Sequence, residues 1–144
     1  NGTTWDRVDT ANTGRLQVDV INGAGDPTPT NPTINVASSA GTAAGASANL
    51  DSAEITEAEK LWEVHISASV PFKAQVQAVE NAVVRNVSNL LFGRAGETVI
   101  WKTPHRNFVT HAGASAGLDV FRVVATNMDN SAAADLHAGM YYST

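Results

Sequence analysis

Trp62-Glu63-Val64-His65-Ile66-Ser67-Ala68-Ser69-Val70 is the stretch on which the fold turns. Trp62, Val64, Ile66, Ala68 and Val70 fall on one parity; Glu63, His65, Ser67 and Ser69 fall on the other. A period of two marks a strand with one buried face. Pro71 interrupts it and signals an edge or a bulge. The same parity resumes with Phe72, Ala74, Val76 and Ala78, with Lys73, Gln75 and Gln77 outward.

The pattern continues toward the C-terminus. Val83 to Phe92 reads as one or two strands broken near Asn86-Val87-Ser88-Asn89, and Gly93-Arg94-Ala95-Gly96 as a hairpin loop. Val99 and Trp101 share a face of the next strand. Pro104 to Asn107 reads as a loop, and Phe108 to His111 as a short strand. The β-branched run Val120 to Thr126 reads as a central strand, Asn127 to Ala134 as a loop, and Leu136 to Tyr142 as the closing strand. Several short strands with turn signals between them imply an all-β fold. The expectation is a small antiparallel β-sandwich, jelly-roll-like, over residues 51–144. Its aromatic core would draw on Trp62, Phe72, Phe92, Trp101 and Phe121, with Val64, Ile66, Val123 and Met140 also buried.

Residues 1–50 read differently, as an extended N-terminal arm and linker. Arg15 to Val20 alternates Leu16, Val18 and Val20 against Gln17 and Asp19, a lone strand that needs a partner. From Asn22 to Asn49 the chain is almost wholly Gly, Ala, Ser, Thr, Asn and Pro. Pro27, Pro29 and Pro32 stiffen its first part, and the Ala37–Ala48 stretch reads as a flexible linker without regular structure or, alternatively, as an extended arm ordered only against a neighbour. Asp51 to Lys60 is expected to form a short helical turn capped by Ser52, with Ile55 buried.

Composition narrows the function. The net charge is -5, with nine Lys and Arg, so the basic excess of a nucleic-acid binder is missing and an anionic membrane surface is a poor partner. There is no cysteine, hence no disulfide or thiolate metal site. No apolar run reaches the roughly 20 residues of a membrane-spanning helix. A small domain without such staples tends to self-associate, and a homo-oligomer, a trimer first, is expected.

No catalytic motif stands out. His65, His105, His111 and His137 show no metal-ligand spacing, so neither a metal nor a cofactor is expected. Asp129, Asn130 and Asp135 lack the spacing of a calcium loop and are explained by turn formation. Asp6 and Asp9 lie on the arm, outside any cleft. Asn86-Val87-Ser88 matches a glycosylation sequon within strand context. Trp5 has no local core to enter, and either docks on its own domain or anchors in a partner pocket. One ring of Tyr141-Tyr142 faces the core and the other the surface.

Two passages carry a family resemblance. Trp5-Asp6-Arg7-Val8-Asp9 followed by Gly14-Arg15-Leu16-Gln17-Val18-Asp19-Val20 is similar to Trp-Asp-x-Val and Arg-Leu-x-Val-Asp phrases in tailed-bacteriophage structural proteins. Phe121-Arg122-Val123-Val124-Ala125-Thr126-Asn127 through Met140-Tyr141-Tyr142 resembles the closing strands of small phage β-sandwich domains. The resemblance implies a non-enzymatic virion protein. The expected role is capsid decoration or cement, with the major capsid protein as partner and Trp5, Val8, Leu16, Val18 and Val20 as the partner-binding residues. A tail, baseplate or fibre component is the alternative. A carbohydrate-binding module is a second, which would need two or three aromatics on one exposed face.

Overall fold

The computed structural model describes residues 32–109 and 118–144, with side chains described outside 104–109. The chain divides at Thr30/Asn31 into two units, and the second contains all the described residues.

Those residues form nine strands: β1 Thr33–Thr42, β2 Ser47–Asp51, β3 Glu59–Ala68, β4 Phe72–Glu80, β5 Val83–Asn86, β6 Leu91–Gly93, β7 Thr98–Val109, β8 Val120–Asn127 and β9 Ala134–Ser143. All pairings are antiparallel, and the strands form two sheets. The first has the order β1-β9-β3-β7; the second has the order β2-β8-β4-β5, with β6 beside β5 on the same flank of β4. Consecutive strands mostly alternate between the sheets. With β5 and β6 counted as one interrupted strand, this is the double Greek key of a jelly roll. The expected antiparallel sandwich is therefore the fold observed.

The inward parity of each strand makes the core. Leu61, Val64, Ile66, Leu136, Ala138, Met140 and Tyr142 of the first sheet meet Leu50, Phe72, Val76, Ala78, Phe121 and Val123 of the second. Ile55 is buried as expected. Val64, Ile66, Val123 and Met140 are buried, while Trp101 is partly buried against the cluster. Tyr142 faces the core and Tyr141 the outside, as strand alternation requires.

Several local expectations are corrected. The stretch read as a linker is β1 and β2, so the sandwich begins well before residue 51. β1 pairs with β9 from Thr33 to Thr42, and β2 pairs with β8 from Ser47 to Asp51. Small side chains suffice there because the ladder is made of main-chain groups, and Leu50 supplies a core anchor. The intervening turn needs Gly45, whose φ of 73° is the left-handed conformation. Asp51 to Glu59 is not helical: the Ser52 main-chain N–H donates to the Phe121 carbonyl, and Ser52 Oγ accepts from the Phe121 N–H. Residues 93–96 do not close a hairpin, since β6 and β7 belong to different sheets. Pro71 likewise marks the passage from β3 in one sheet to β4 in the other. Residues 104–107 lie inside β7 rather than in a loop.

The remaining correction concerns Trp62 and Phe92. Leu61 pairs with Tyr142 and Glu63 with Tyr141, so Trp62 is an extra residue on β3. The bulge slips the parity by one, burying Leu61 and turning Trp62 outward. Phe92 is 64% exposed because β6 sits at the margin of its sheet with Gly93 turned to the core side.

Candidate binding face

The outer faces of the two sheets differ in chemistry. On the second sheet, polar side chains on adjacent strands satisfy each other. Arg122 forks Asp51, Nε to Oδ1 at 2.6 Å and Nη2 to Oδ2 at 2.8 Å. Ser47 and Thr126 hydroxyls lie 2.8 Å apart. Gln77 Nε2 donates to Asn86 Oδ1 at 2.8 Å, and Gln75 Nε2 donates to the Ser88 carbonyl. The hydrogen bond that Arg122 donates to Asp51 is the main reason its guanidinium holds its proton more tightly than usual. Exposed apolar side chains on this sheet gather at its β5–β6 margin, at Val83, Val84 and Phe92.

The first sheet presents a mixed surface. Strand register arranges its outward residues in rows across β1, β9, β3 and β7. One row reads Ile34, Tyr141, Glu63, Lys102; the next reads Val36, Gly139, His65, Ile100. Ile34 is 58% exposed, Val36 70% and Ile100 55%. Gly139 leaves the middle of the face low: a methyl group there would meet only Tyr141 and His65, at ordinary contact distance. The His65 and Tyr141 rings are 4.8 Å apart. Trp62 sits at one end, its Nε1 donating to Ser143 Oγ at 2.8 Å and its ring 3.9 Å from Lys60 Nζ.

One polar cluster crosses this face. Glu63 Oε1 is hydrogen-bonded to His65 Nε2, and Lys102 Nζ stands 3.4 Å from Glu63 Oε2. The bond to His65, against some burial and with help from Lys102, holds the Glu63 carboxyl below its ordinary value of 4.5. The cluster joins three residues, Glu63 and His65 of β3 and Lys102 of β7, on the outer surface of the sheet.

Among the described residues no group of three or more His, Cys, Asp or Glu is placed to hold a metal ion, and no helix is long and apolar enough to cross a membrane. Asp129 is a turn former: its Oδ1 accepts from the Ser131 and Ala132 main-chain N–H groups and from Ser131 Oγ. Asp135 accepts from the Gly41 N–H. His137 is solvent-facing. His105 and His111 lie where side chains are not described.

Trp5, Val8, Leu16, Val18 and Val20, the residues expected to bind a partner, all lie outside the described residues. The face that the structure does display rests on others: Ile34, Val36, Ile100, Trp62 and Tyr141. The alternation Ile34-Asn35-Val36 after Pro32 was a short strand signal inside a stretch dominated by small residues. Nothing local announces the outward turn of Trp62, which depends on pairing with β9.

The architecture is that of a small jelly-roll sandwich whose two outer faces both carry exposed apolar side chains beside paired polar groups. No family model matches the chain, and no curated protein matches it. Among solved structures, the crystal structure of PirA is similar at a TM-score of 0.42 and 14% identity, over 81% of this chain and 100% of that one. The structure of the infectious bursal disease virus Gx strain is similar at a TM-score of 0.40 and 16% identity, over 82% of this chain and 38% of that one. The structure of the Gt strain of that virus gives 0.35 and 12%, over 81% of this chain and 34% of that one. The chain thus spans little more than a third of the virus chains it resembles. Likeness at this level carries no functional argument.

Proposed function

We propose that this chain is a non-enzymatic virion structural protein, a capsid decoration or cement protein that holds neighbouring subunits through its N-terminal arm. The observation that carries the reading is the apolar margin of the first sheet. Ile34 and Val36 stand exposed on the same face of its edge strand β1, at 58% and 70%. Neighbouring exposed apolar side chains on a small domain suit a macromolecular partner. Trp5, Val8, Leu16, Val18 and Val20 would add an anchor beyond the sandwich, each buried Leu or Val contributing about 1.5–3 kcal/mol. The virion assignment is supported by the phage-like phrases at residues 5–20 and 121–142. Jelly rolls occur among viral capsid domains and also among lectins, so fold analogy is compatible with it without selecting it.

The test is sedimentation of purified virus particles, with the chain followed by antibody. The full chain should travel with particles, and removal of residues 1–21 should weaken its incorporation while leaving the strand-type circular dichroism unchanged. A chain found only in the soluble fraction would sink the reading. Unchanged incorporation of the truncated form would move the anchor from the arm to the sandwich.

A second reading, a carbohydrate-binding module, is favoured by one observation. The bulge in β3 places Trp62 on the same outer face as Tyr141 and His65, all three half-buried. Aromatic platforms of this kind stack on sugar rings. Glycan-array binding that disappears in Trp62→Ala would establish it; silence of the wild-type chain on the array would remove it.

A further inference from the structure

The edges of this sandwich are guarded unequally. β7 carries Lys102 and Pro104 and shifts its register opposite Trp62. β2 is 5 residues long and ends on Asp51; β5 is 4 residues long and carries Arg85; β6 has 3 residues. Short strands, charges, prolines and register breaks are the means by which proteins keep a sheet edge from pairing with another chain. β1 has none of them from Thr33 to Ser39. That segment has no charge and no proline, and its register with β9 is unbroken. Its Ile34 and Val36 are β-branched and mostly exposed.

We infer that β1 pairs with β1 of a second copy of this chain, antiparallel about a two-fold axis at Val36, merging two four-stranded sheets into one continuous sheet. Val36 is the midpoint of the regular segment. A ladder centred there sets Ile34 opposite the partner's Ser38 and Thr33 opposite the partner's Ser39, and uses the whole unbroken stretch. The axis keeps outward residues on the same side, so the two Val36 side chains meet on the apolar outer face. Charge also favours this occupant. Each copy carries a net -5 and repels the other in general, but β1 is neutral and brings no like charges together. An isologous pairing of this kind closes at two copies.

The chain contains no cysteine, so Val36→Cys introduces its sole thiol. Directly opposed residues of an antiparallel ladder have Cα atoms about 4.5–5.5 Å apart, within disulfide range. Light scattering of the full chain should give a dimer, and Val36→Cys should become a disulfide-linked dimer on mild oxidation. Ile34→Cys should cross-link far less, since its two copies would lie roughly 13 Å apart along the ladder. Val36→Lys places like charges face to face and should raise the dimer dissociation constant about tenfold or more. The side chain is exposed in the single chain, so unchanged far-ultraviolet circular dichroism should show the variant folded. A monomer at every concentration overturns the proposal, as does an oligomer that survives Val36→Lys. An oligomer that persists in Val36→Lys and is lost on removing residues 1–21 also overturns it, and assigns self-association to the arm.

Discussion

Phe72 and Gly93 face each other across the β4–β6 ladder, and the Phe72 ring occupies the space that a side chain at position 93 would need. A methyl group on Gly93 would also press on Val99. The ring belongs to a fully buried side chain at the inter-sheet layer, so it has little room to retreat. Gly93→Ala should therefore destabilise the sandwich by about 1–3 kcal/mol, the usual penalty of overpacking. Urea unfolding followed by circular dichroism measures it. A change within about 0.5 kcal/mol, the range of an ordinary surface substitution, would mean that Phe72 can move aside.

The bulge in β3 assigns opposite roles to two adjacent residues. Leu61 is in the core, and Trp62 lies outside it under Lys60 and beside Ser143. Leu61→Ala should cost about 2–5 kcal/mol, as for a large-to-small change in a packed core. Trp62→Ala should cost distinctly less, despite the larger side chain. The reverse order in thermal or denaturant unfolding would restore the uninterrupted alternation and remove the bulge.

Asn127 is completely buried and ties three segments together. Its Nδ2 donates to the Thr42 carbonyl at 2.9 Å and to the Ala132 carbonyl at 2.8 Å, while its Oδ1 accepts from the Asp129 N–H. Truncation would leave those carbonyls without their donor. Asn127→Ala should lower stability by about 1–3 kcal/mol. Faster hydrogen exchange should appear first in the β1–β2 turn and the loop before β9. Asn127→Asp should also destabilise, because it replaces both N–H donors with an acceptor. A neutral Asn127→Asp would argue against the amide's role.

Acid should loosen the sandwich through Glu63 and Asp129. Hydrogen bonds hold both carboxyls below their ordinary values of 4.5 and 3.8. The folded state therefore binds fewer protons than the unfolded state in the window just below those values. Stability from these groups is present above them and is lost as pH falls through the lowered folded values. Glu59 acts the other way: burial and then the neighbouring Glu57 raise its carboxyl, so its protonation favours the folded state as pH drops. Glu63→Gln should flatten the acid limb of a melting-temperature profile, and Glu59→Gln should steepen it. If Glu63→Gln leaves that limb unchanged, the Glu63–His65 contact adds nothing in solution.

The sandwich was legible wherever apolar residues recurred at every second position. Val64 to Val70, Phe72 to Ala78, Val120 to Thr126 and Leu136 to Tyr142 all carry that pattern. Burial of one face requires that pattern and leaves it in the chain. β1 and β2 left little trace, because an edge strand rich in Ala, Ser and Gly is held mainly by main-chain hydrogen bonds, which are the same for every sequence.

The arm residues from Trp5 to Val20 were marked by their contrast with small polar neighbours. The exposed face on the sandwich was not, because exposure there depends on long-range register. The ladder with β9 decides that Trp62 is the extra residue, that Ile34 stands beside Tyr141, and that Val36 stands beside Gly139. Alternation within a strand sets which residues share a side. The pairing of strands distant along the chain sets which side is core, because a one-residue shift exchanges the two faces.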